Sequence, residues 1–262
     1  MSWDIPFLTE EQFRKHICDI IGGYGAILHP MNLAKFNENL IDPIKLIFDR
    51  TVYHLTWEEV VRNEIFRQRD KSNNNRIGYF HQRLFQHIEH CTVPSSGWDV
   101  VFAPPNGIIL PDIGHVSTIY VEMKNKHNTM NSTAKAKTYM KMQSQLLTDD
   151  DCVCFLVEVL AQKSQNIPWS LKVDSEHHSH KRIRQVSIDQ FYAMITGEEN
   201  AFYRICSALP ETIEEIVRKQ ETDDGRRDTV IEELQSIIDS TGGSYAMALY
   251  MLGFSTYTGF GK

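Results

Sequence analysis

Three charged residues near the middle of the chain, Asp99, Glu122 and Lys124, have the types that metal-dependent hydrolysis of a phosphodiester requires. Two carboxylates can hold Mg²⁺, which takes oxygen ligands and leaves other positions for water and a substrate phosphate. A lysine beside them can stabilise the charge that grows on a phosphate oxygen or orient the attacking water. This chemistry needs the three side chains to converge, so the elements that carry them must bring them together.

Two short apolar segments carry these residues, and both are typical of β-strands. Residues 100–102 (VVF) follow Asp99, and residues 118–121 (TIYV) precede Glu122. Both segments are rich in the β-branched and aromatic side chains that suit a pleated surface. The prolines and glycines of residues 104–114 cannot continue either strand. We therefore predict two adjacent antiparallel strands joined by a long loop.

The pairing of these two strands decides whether the site can form. If positions whose numbers sum to about 221 face each other, Asp99 lies opposite Glu122. Alternation along the second strand then places Tyr120, Glu122 and Lys124 on one face. The alternative is a solvated charge pair on an exposed strand, because an acid, any residue and a lysine recur about twice by chance in a chain of ordinary composition.

The segment of residues 125–132 follows the lysine directly and contains no acidic side chain. Asn can bond adenine edges and Lys can bond guanine, so this composition suits contact with bases or phosphates. A polar loop after a strand is the alternative. The residues that we predict to contact DNA here are Asn125, Lys126, His127, Asn128, Thr129, Asn131 and Ser132.

The order Asp99, Glu122-x-Lys124 resembles the PD-(D/E)xK nuclease signature. The block EMKNKHNTMNS is similar to one branch of that superfamily, the type II restriction endonucleases that cut GGNCC sequences. The similarity extends through residues 165–169 (QNIPW) and 179–184 (SHKRIR), and so covers the middle of the chain. By this resemblance Asp99 and Glu122 are metal ligands and Lys124 is the catalytic lysine.

The resemblance implies a Mg²⁺-dependent endodeoxyribonuclease of a restriction-modification system, which leaves 5′-phosphate ends on double-stranded DNA. A reader of a palindrome should be a homodimer, because symmetric half-sites call for symmetric readers. Further DNA contacts are expected from Lys181, Arg182 and Arg184. Two other functions stay open: a repair or recombination nuclease of the same superfamily that reads structure, and a DNA-binding regulator without catalysis.

Two features leave the metal ligands open. No proline precedes Asp99, whereas a literal Pro-Asp pair occurs at Pro111-Asp112, so Asp112 is a rival for the first carboxylate. We prefer Asp99 because a strand end fixes its geometry, while Asp112 lies in a loop rich in glycine and proline. Upstream acids could also join the site, although a solvated helix face is the ordinary explanation for them; they are Glu58, Glu59 and Glu64.

Composition limits the class of protein. The net charge of −7 argues against a protein that coats nucleic acid indiscriminately. Charge is unevenly spread, since five lysines and no acid lie in residues 124–147, and residues 211–239 hold most of the surplus acid. Five cysteines show no CxxC spacing, and Cys152 and Cys154 are expected to be buried thiols. With neither a signal peptide nor a spanning segment expected, the prokaryotic cytoplasm is the predicted compartment.

Apolar patterning predicts an α/β fold, a mixed central β-sheet flanked by helices. Residues 152–160 read as a central strand buried on both faces. Residues 77–89 and 133–147 are expected to form helices beside the sheet. We predict a single nuclease domain over residues 1–262, with a PD-(D/E)xK-like core at about residues 76–200 and helical parts at 1–75 and 201–262.

Local signals predict the helix boundaries. Capping boxes at Thr9 and Thr56 begin two helices, the first ending at Gly22-Gly23 and the second at about residue 69. A polar turn is expected at residues 72–75. Further capping boxes are expected at Ser187 and Thr212.

Two other regions complete the predictions. Residues 162–184 are expected to form a long polar insertion, whose His177, His178 and His180 could suggest zinc. No cysteine lies near them and zinc sites usually fix ligands at helix or knuckle spacing, so we favour DNA contact there. Residues 230–238 and 244–252 have the apolar spacing of two helices.

Overall fold

The computed structural model describes residues 3–28, 30–173, 176–220 and 227–257. The predicted α/β class is confirmed, because a six-stranded mixed sheet lies between helices. Eight strands occur in the described residues: β1 (Cys91–Thr92), β2 (Val100–Phe102), β3 (Ile108–Leu110), β4 (Gly114–Val116), β5 (Thr118–Lys126), β6 (Cys152–Leu160), β7 (Asn166–Val173) and β8 (Glu176–Ser187).

The large sheet has the order β1-β2-β5-β6-β8-β7, and β3 and β4 form a separate hairpin. Strands β5, β6 and β8 run parallel, whereas β1, β2 and β7 pair antiparallel with their neighbours. The described helices are α1 (Glu10–Leu28), α2 (Leu33–Asn37), α3 (Pro43–Val52), α4 (Trp57–Gly78), α5 (Phe80–Leu84), α6 (Ser132–Thr148), α7 (Ile188–Thr196), α8 (Ala201–Gln220), α9 (Val230–Thr241) and α10 (Tyr245–Gly253).

Strand β6 lies at the centre of the sheet, as its apolar sequence predicts. Its residues from Cys152 to Glu158 are buried, which is the pattern of a strand covered on both faces. On one face the buried Met142 of α6 belongs to the same apolar cluster as Cys154. On the other face the Phe155 ring lies 6.3 Å from that of Phe191 on α7. The central strand therefore anchors both helical layers.

The chain divides into two compact units. The sheet unit comprises Met1–Ile21 and Ile77–Lys219, and the helical unit comprises Gly22–Arg76 and Gln220–Lys262. The helical unit has its own apolar core, formed by residues such as Phe36, Leu46, Val61, Val230 and Leu234. No helix in the described part of the chain is long and apolar enough to cross a membrane.

Two predicted helix ends are wrong, although the capping boxes that begin those helices are confirmed at Thr9 and Thr56. Helix α1 continues through Gly22-Gly23, because glycine costs only about 1 kcal/mol inside a helix and does not by itself end one. Gly23 leaves room for a neighbour, since a Cβ there would clash with the Arg76 guanidinium.

Helix α4 also continues through the polar stretch of residues 72–75, where a turn was expected. The side-chain amide of Asn74 donates to Asp70 Oδ2 at 2.8 Å along the helix, so this polar side chain finds its partner without a turn. The predicted helix over residues 77–89 is shorter in the structure, consisting of α5 and a 3₁₀ turn at Phe85–His87. Four of its five apolar positions are nevertheless buried, as the spacing predicts: Phe80, Leu84, Phe85 and Ile88. Ile77, the fifth, is 39% exposed because it lies in the last turn of α4 and not in α5.

The prediction of a polar insertion at residues 162–184 is wrong, because Asn166–Val173 and Glu176–Ser187 form the antiparallel ribbon of β7 and β8. Trp169 and Leu171 alternate along β7 and are buried, and the Trp169 ring lies 5.4 Å from that of Tyr139. Polar residues between these apolar positions face outward, as in any strand with one buried face. The alternation of apolar and polar residues that would predict a strand covers only a few residues here, and the strand pairing is irregular between Pro168 and Ser170.

Two predicted capping boxes are also wrong. Helix α8 begins at Ala201 and carries Pro210 inside it, and the Thr212 hydroxyl donates to Ala208 O at 2.8 Å within the helix. Ser187 precedes α7 but its hydroxyl accepts a hydrogen bond from Gln165 N at 2.9 Å instead of capping the helix. In this second case the partner is the residue just before β7 and not the helix end.

Candidate active site

The pairing of β2 with β5 agrees with the prediction. Val100 pairs with Val121 and Phe102 pairs with Ile119. The register of β2 does not continue to Asp99, because the Asp99 backbone N donates at 3.0 Å to the carbonyl oxygen of Val121, which is the partner of Val100. The ladder is therefore irregular at Asp99, as in a β-bulge, but the Asp99 carboxylate still lies close enough to Glu122 for the charge of Glu122 to act on it.

The Asp99 carboxylate is half-buried and held in one orientation. Its Oδ2 accepts a hydrogen bond from Met123 N at 2.7 Å. Burial raises the pKa of Asp99, and the charge of Glu122 acts in the same direction, while the Met123 hydrogen bond opposes both. No hydrogen bond reaches Asp99 Oδ1 from the described residues, so that oxygen is available to a ligand.

The Glu122 carboxylate lies between two ammonium groups and is 17% exposed. Lys124 Nζ lies 2.8 Å from its Oε1, and Lys141 Nζ lies 2.6 Å from its Oε2. Burial alone would raise the pKa of Glu122, but the hydrogen bonds and charges of the two lysines outweigh it and the pKa is lowered. Glu122 is therefore an anion with a cation at each oxygen.

Lys141 is the member of this cluster that sequence reasoning missed. It is carried by α6, where it lies four residues before Gln145, whose Oε1 accepts a hydrogen bond from the Trp98 indole at 3.1 Å. Its ammonium also donates to Gly97 O and lies 4.1 Å from the centre of the Trp98 ring. The usable signal was its position next to the buried Met142 on a helix that packs against the sheet.

The donor groups fit a hard divalent cation. Mg²⁺ commonly takes one or two protein carboxylates and leaves its other positions to water and phosphate. Asp99 offers a free oxygen, and both oxygens of Glu122 already bind positive charge. Across the described ranges no group of three or more His, Cys, Asp or Glu side chains could hold a metal.

Each of the other candidate carboxylates has a partner elsewhere. Asp112 lies exposed in the turn between β3 and β4, with a φ of 64°, and its charge acts on Arg184. The three upstream acids lie on α4 in the helical unit, each with a local partner: Glu58 with Arg62, Glu59 with Thr56 and Glu64 with Arg67.

The segment of residues 125–132 emerges from the end of β5 immediately after the cluster. Part of it is structural, because His127 N donates to Leu160 O at 3.3 Å and the Thr129 hydroxyl donates to Lys126 O at 2.9 Å. Asn131 caps α6, its Oδ1 accepting a hydrogen bond from Ala134 N at 2.8 Å. The side chains exposed to solvent are those of Lys126, Asn128, Thr129, Asn131 and Ser132, and Asn125 is half-buried.

The segment of residues 181–184 lies inside β8 and has a different environment. Lys181 is exposed, whereas the Arg182 guanidinium donates to Asp150 O and to Cys152 O. Arg184 is 5% exposed, and its Nη2 donates to Asn166 O at 2.6 Å. Burial lowers the pKa of Arg184, and the charge of Asp112 opposes that shift.

The structure does not bring the two predicted DNA-contacting segments together. Arg184 pairs with Phe155, which pairs with Val121, so Arg184 points to the face opposite Glu122. The first segment contacts Leu160 at the end of β6 and the second contacts Cys152 at its beginning. Nine residues of strand separate them by about 26 Å.

Comparison with known proteins gives three matches. The sequence profile of a family described as Eco47II restriction endonuclease matches residues 5–218. The type II restriction enzyme Sau96I of Staphylococcus aureus is 28% identical over 229 residues, covering 84% of each chain. The type II restriction enzyme Eco47II of Escherichia coli is 26% identical over 194 residues, covering 71% of this chain and 77% of its own length.

Proposed function

Because the chain belongs to the Eco47II restriction endonuclease family and is thus an endodeoxyribonuclease, we propose that it cuts double-stranded DNA at a Mg²⁺-dependent PD-(D/E)xK site. The observation that carries this proposal is the meeting of Asp99, Glu122 and Lys124 across β2 and β5. The Asp99 carboxylate accepts a hydrogen bond from the backbone N of Met123, the residue after Glu122, and Lys124 contacts Glu122 at 2.8 Å.

Asp99 and Glu122 are the residues that hold the metal in this proposal. Met123 N fixes the orientation of Asp99 through Oδ2, which leaves Oδ1 for the metal. When bound, Mg²⁺ supplies charge neutralisation at the scissile phosphate and makes water a stronger acid. Burial raises the pKa of Asp99 and the two lysines lower the pKa of Glu122, so Glu122 is the stronger acid of the pair.

Lys124 is the proposed catalytic lysine. Its ammonium lies on the same strand face as Glu122 and is 29% exposed, so it can reach both the carboxylate and an incoming phosphate. There it orients the attacking water and stabilises the charge that develops on the phosphate oxygens. Water would attack the phosphorus and the P–O3′ bond would break, so that the released 3′ oxygen takes up a proton as a 3′-hydroxyl and the other end keeps a 5′-phosphate.

The exposed side chains of residues 125–132 are the proposed DNA contacts, since they continue directly from the catalytic strand. Lys181 is a further candidate for a phosphate contact, whereas Arg182 and Arg184 are used within the protein. We propose a homodimer that reads a short GC-rich palindrome of the GGNCC kind, because the sequence block at residues 122–132 resembles enzymes with that target and a palindrome calls for two symmetric readers.

The nuclease core of about residues 76–200 that we propose lies within the sheet unit. It is the part of a single nuclease domain that carries the chemistry, and the helical N-terminal and C-terminal parts flank it in sequence. The proposed place of action is the prokaryotic cytoplasm, where a restriction enzyme meets incoming DNA.

The test is cleavage of a sequenced plasmid by the purified protein with Mg²⁺ or with EDTA, followed by sequencing of the ends. We expect discrete fragments that share one palindrome, lost in EDTA and in Glu122→Ala, and retained in the matched control Glu89→Ala, whose side chain is 87% exposed. Cuts at junctions without a shared sequence would indicate a structure-specific nuclease. Mg²⁺-independent binding with no cuts would indicate a regulator.

A further inference from the structure

Lys141 binds the same carboxylate as the proposed catalytic lysine but comes from a different element. It is carried by α6 and reaches Glu122 Oε2 at 2.6 Å, while Lys124 from β5 holds Oε1. Its ammonium also donates to Gly97 O and lies over the Trp98 ring. Lys141 thus ties the residues just before Asp99 to Glu122, the two sides of the proposed metal site.

The charges at the site balance without a metal. Asp99 and Glu122 carry two negative charges, and Lys124 and Lys141 carry two positive charges. A divalent cation at these carboxylates must therefore replace an ammonium at Glu122 or share the carboxylate with it, and like charges at such distances repel strongly.

Of the two lysines, Lys141 is the one whose ammonium has other partners besides Glu122. If it leaves Glu122, Gly97 O and the face of Trp98 still hold its ammonium by a hydrogen bond and a cation–π contact. Glu122 is the one hydrogen-bond partner of the Lys124 ammonium in the described residues. The geometry therefore favours displacement of Lys141.

We propose that Lys141 is a positioning residue that holds Glu122 and residues 97–98 together in the metal-free enzyme and competes with Mg²⁺ for the Glu122 carboxylate. The inference rests on the proposed function, since it takes Asp99 and Glu122 as the metal ligands. It assigns to α6 a part in setting how much Mg²⁺ the enzyme needs. A lysine outside the PD-(D/E)xK motif then affects how much of the enzyme has Mg²⁺ bound at a given Mg²⁺ concentration.

The test is thermal unfolding of the full chain in a Mg²⁺ titration without DNA, because a ligand that binds the folded state raises the melting temperature. The variants are Lys141→Met, which keeps the aliphatic stem, and Lys141→Arg, which keeps the charge. Lys137→Met is the matched control, since Lys137 is exposed on the same helix. Plasmid cleavage by the wild type is measured in parallel.

Without Mg²⁺ we expect Lys141→Met to melt below the wild type, because Asp99 and Glu122 then repel each other. The Mg²⁺ concentration at half-effect should fall about tenfold, the scale expected when one nearby unit charge is removed. The stability gap should therefore close as Mg²⁺ rises, while Lys141→Arg and Lys137→Met keep the half-effect concentration of the wild type.

Two results would overturn the inference. If Lys141→Met lowers the melting temperature by the same amount at every Mg²⁺ concentration, Lys141 has only a structural role. If Lys141→Met raises the Mg²⁺ concentration at half-effect, Lys141 favours Mg²⁺ binding and does not compete with it. If the wild type cleaves plasmid with Mg²⁺, either result defeats this inference alone. Absence of both cleavage and any response to Mg²⁺ would defeat the proposed function with it.

Discussion

Two segments of this enzyme look alike in sequence and differ in the structure. Residues 125–132 and residues 179–184 are both polar, both basic and both part of the resemblance to restriction enzymes. The first leaves the sheet directly after Lys124 and exposes most of its side chains. In the second, Arg182 and Arg184 donate to backbone and amide oxygens of neighbouring strands, and only Lys181 of the three cations extends into solvent.

The difference shows that a cationic side chain in a strand can serve the fold as readily as a ligand. The guanidinium has five N–H donors and can satisfy carbonyl groups where a strand ends or an irregularity leaves them open. Arg184 does this for Asn166, the first residue of β7. Sequence similarity over such a segment is accounted for by contacts within the sheet, and it is not by itself evidence that the segment contacts DNA.

The largest difference between the two segments should be in the rate of DNA cleavage. Replacement Lys124→Ala should lower the cleavage rate by at least about a hundredfold, because it removes the charge placed to stabilise the phosphate oxygens. Single-turnover cleavage of an oligonucleotide duplex measures the rate, and binding without Mg²⁺ should change little. Lys181→Ala is the control in the second segment. A loss of rate in that control as large as in Lys124→Ala would contradict the comparison.

The second effect in size should be on stability. Replacement Arg184→Met should cost about 2–4 kcal/mol of unfolding free energy, since it leaves the Asn166 acceptors without their buried donor. Urea unfolding at equilibrium measures it, with Lys181→Met as the exposed control expected to change stability by less than about 0.5 kcal/mol. A stable Arg184→Met with weakened DNA binding would show that Arg184 contacts DNA after all.

The third effect should be on the salt dependence of binding. Replacement Lys126→Ala should weaken DNA affinity by about tenfold and reduce the slope of log affinity against log salt by about 1, as for a lost phosphate contact. Fluorescence anisotropy across a salt series, with Ca²⁺ or without metal, gives both quantities. Lys181→Ala tests the other segment in the same assay. An equal change of slope in both variants would mean that DNA reaches both ends of the parallel strands.

The sequence predicted the parts of the site that depend on local pattern. The alternation around Glu122 and the turn formers between the strands were enough to pair Val100 with Val121, and the apolar run of β6 was enough to place it at the centre. These features follow from periodicity and from steric limits on the backbone. The hydrogen bond from Met123 N to the Asp99 carboxylate does not follow from this pairing, because the ladder is irregular at Asp99.

The parts that the sequence did not predict depend on contacts between distant residues. Nothing local shows that Gly23 stays helical to make room for Arg76, or that Ser187 bonds Gln165 instead of capping α7. Lys141 is the most important case, because its partners come from a loop and a strand that precede it in the chain. The lysine-rich stretch marked the helix as basic, but only the packing of α6 identifies which lysine enters the site.

The smallest effect should separate two residues within the first segment. Asn131 caps α6 through its Oδ1, so Asn131→Ala should lower stability by about 1 kcal/mol. Asn128 is exposed, and Asn128→Ala should leave stability unchanged while lowering DNA affinity or relaxing base preference. Urea unfolding and anisotropy on both variants measure these changes. If Asn131→Ala is fully stable and loses affinity, the contact with DNA extends to the first turn of α6, the helix that also carries Lys141.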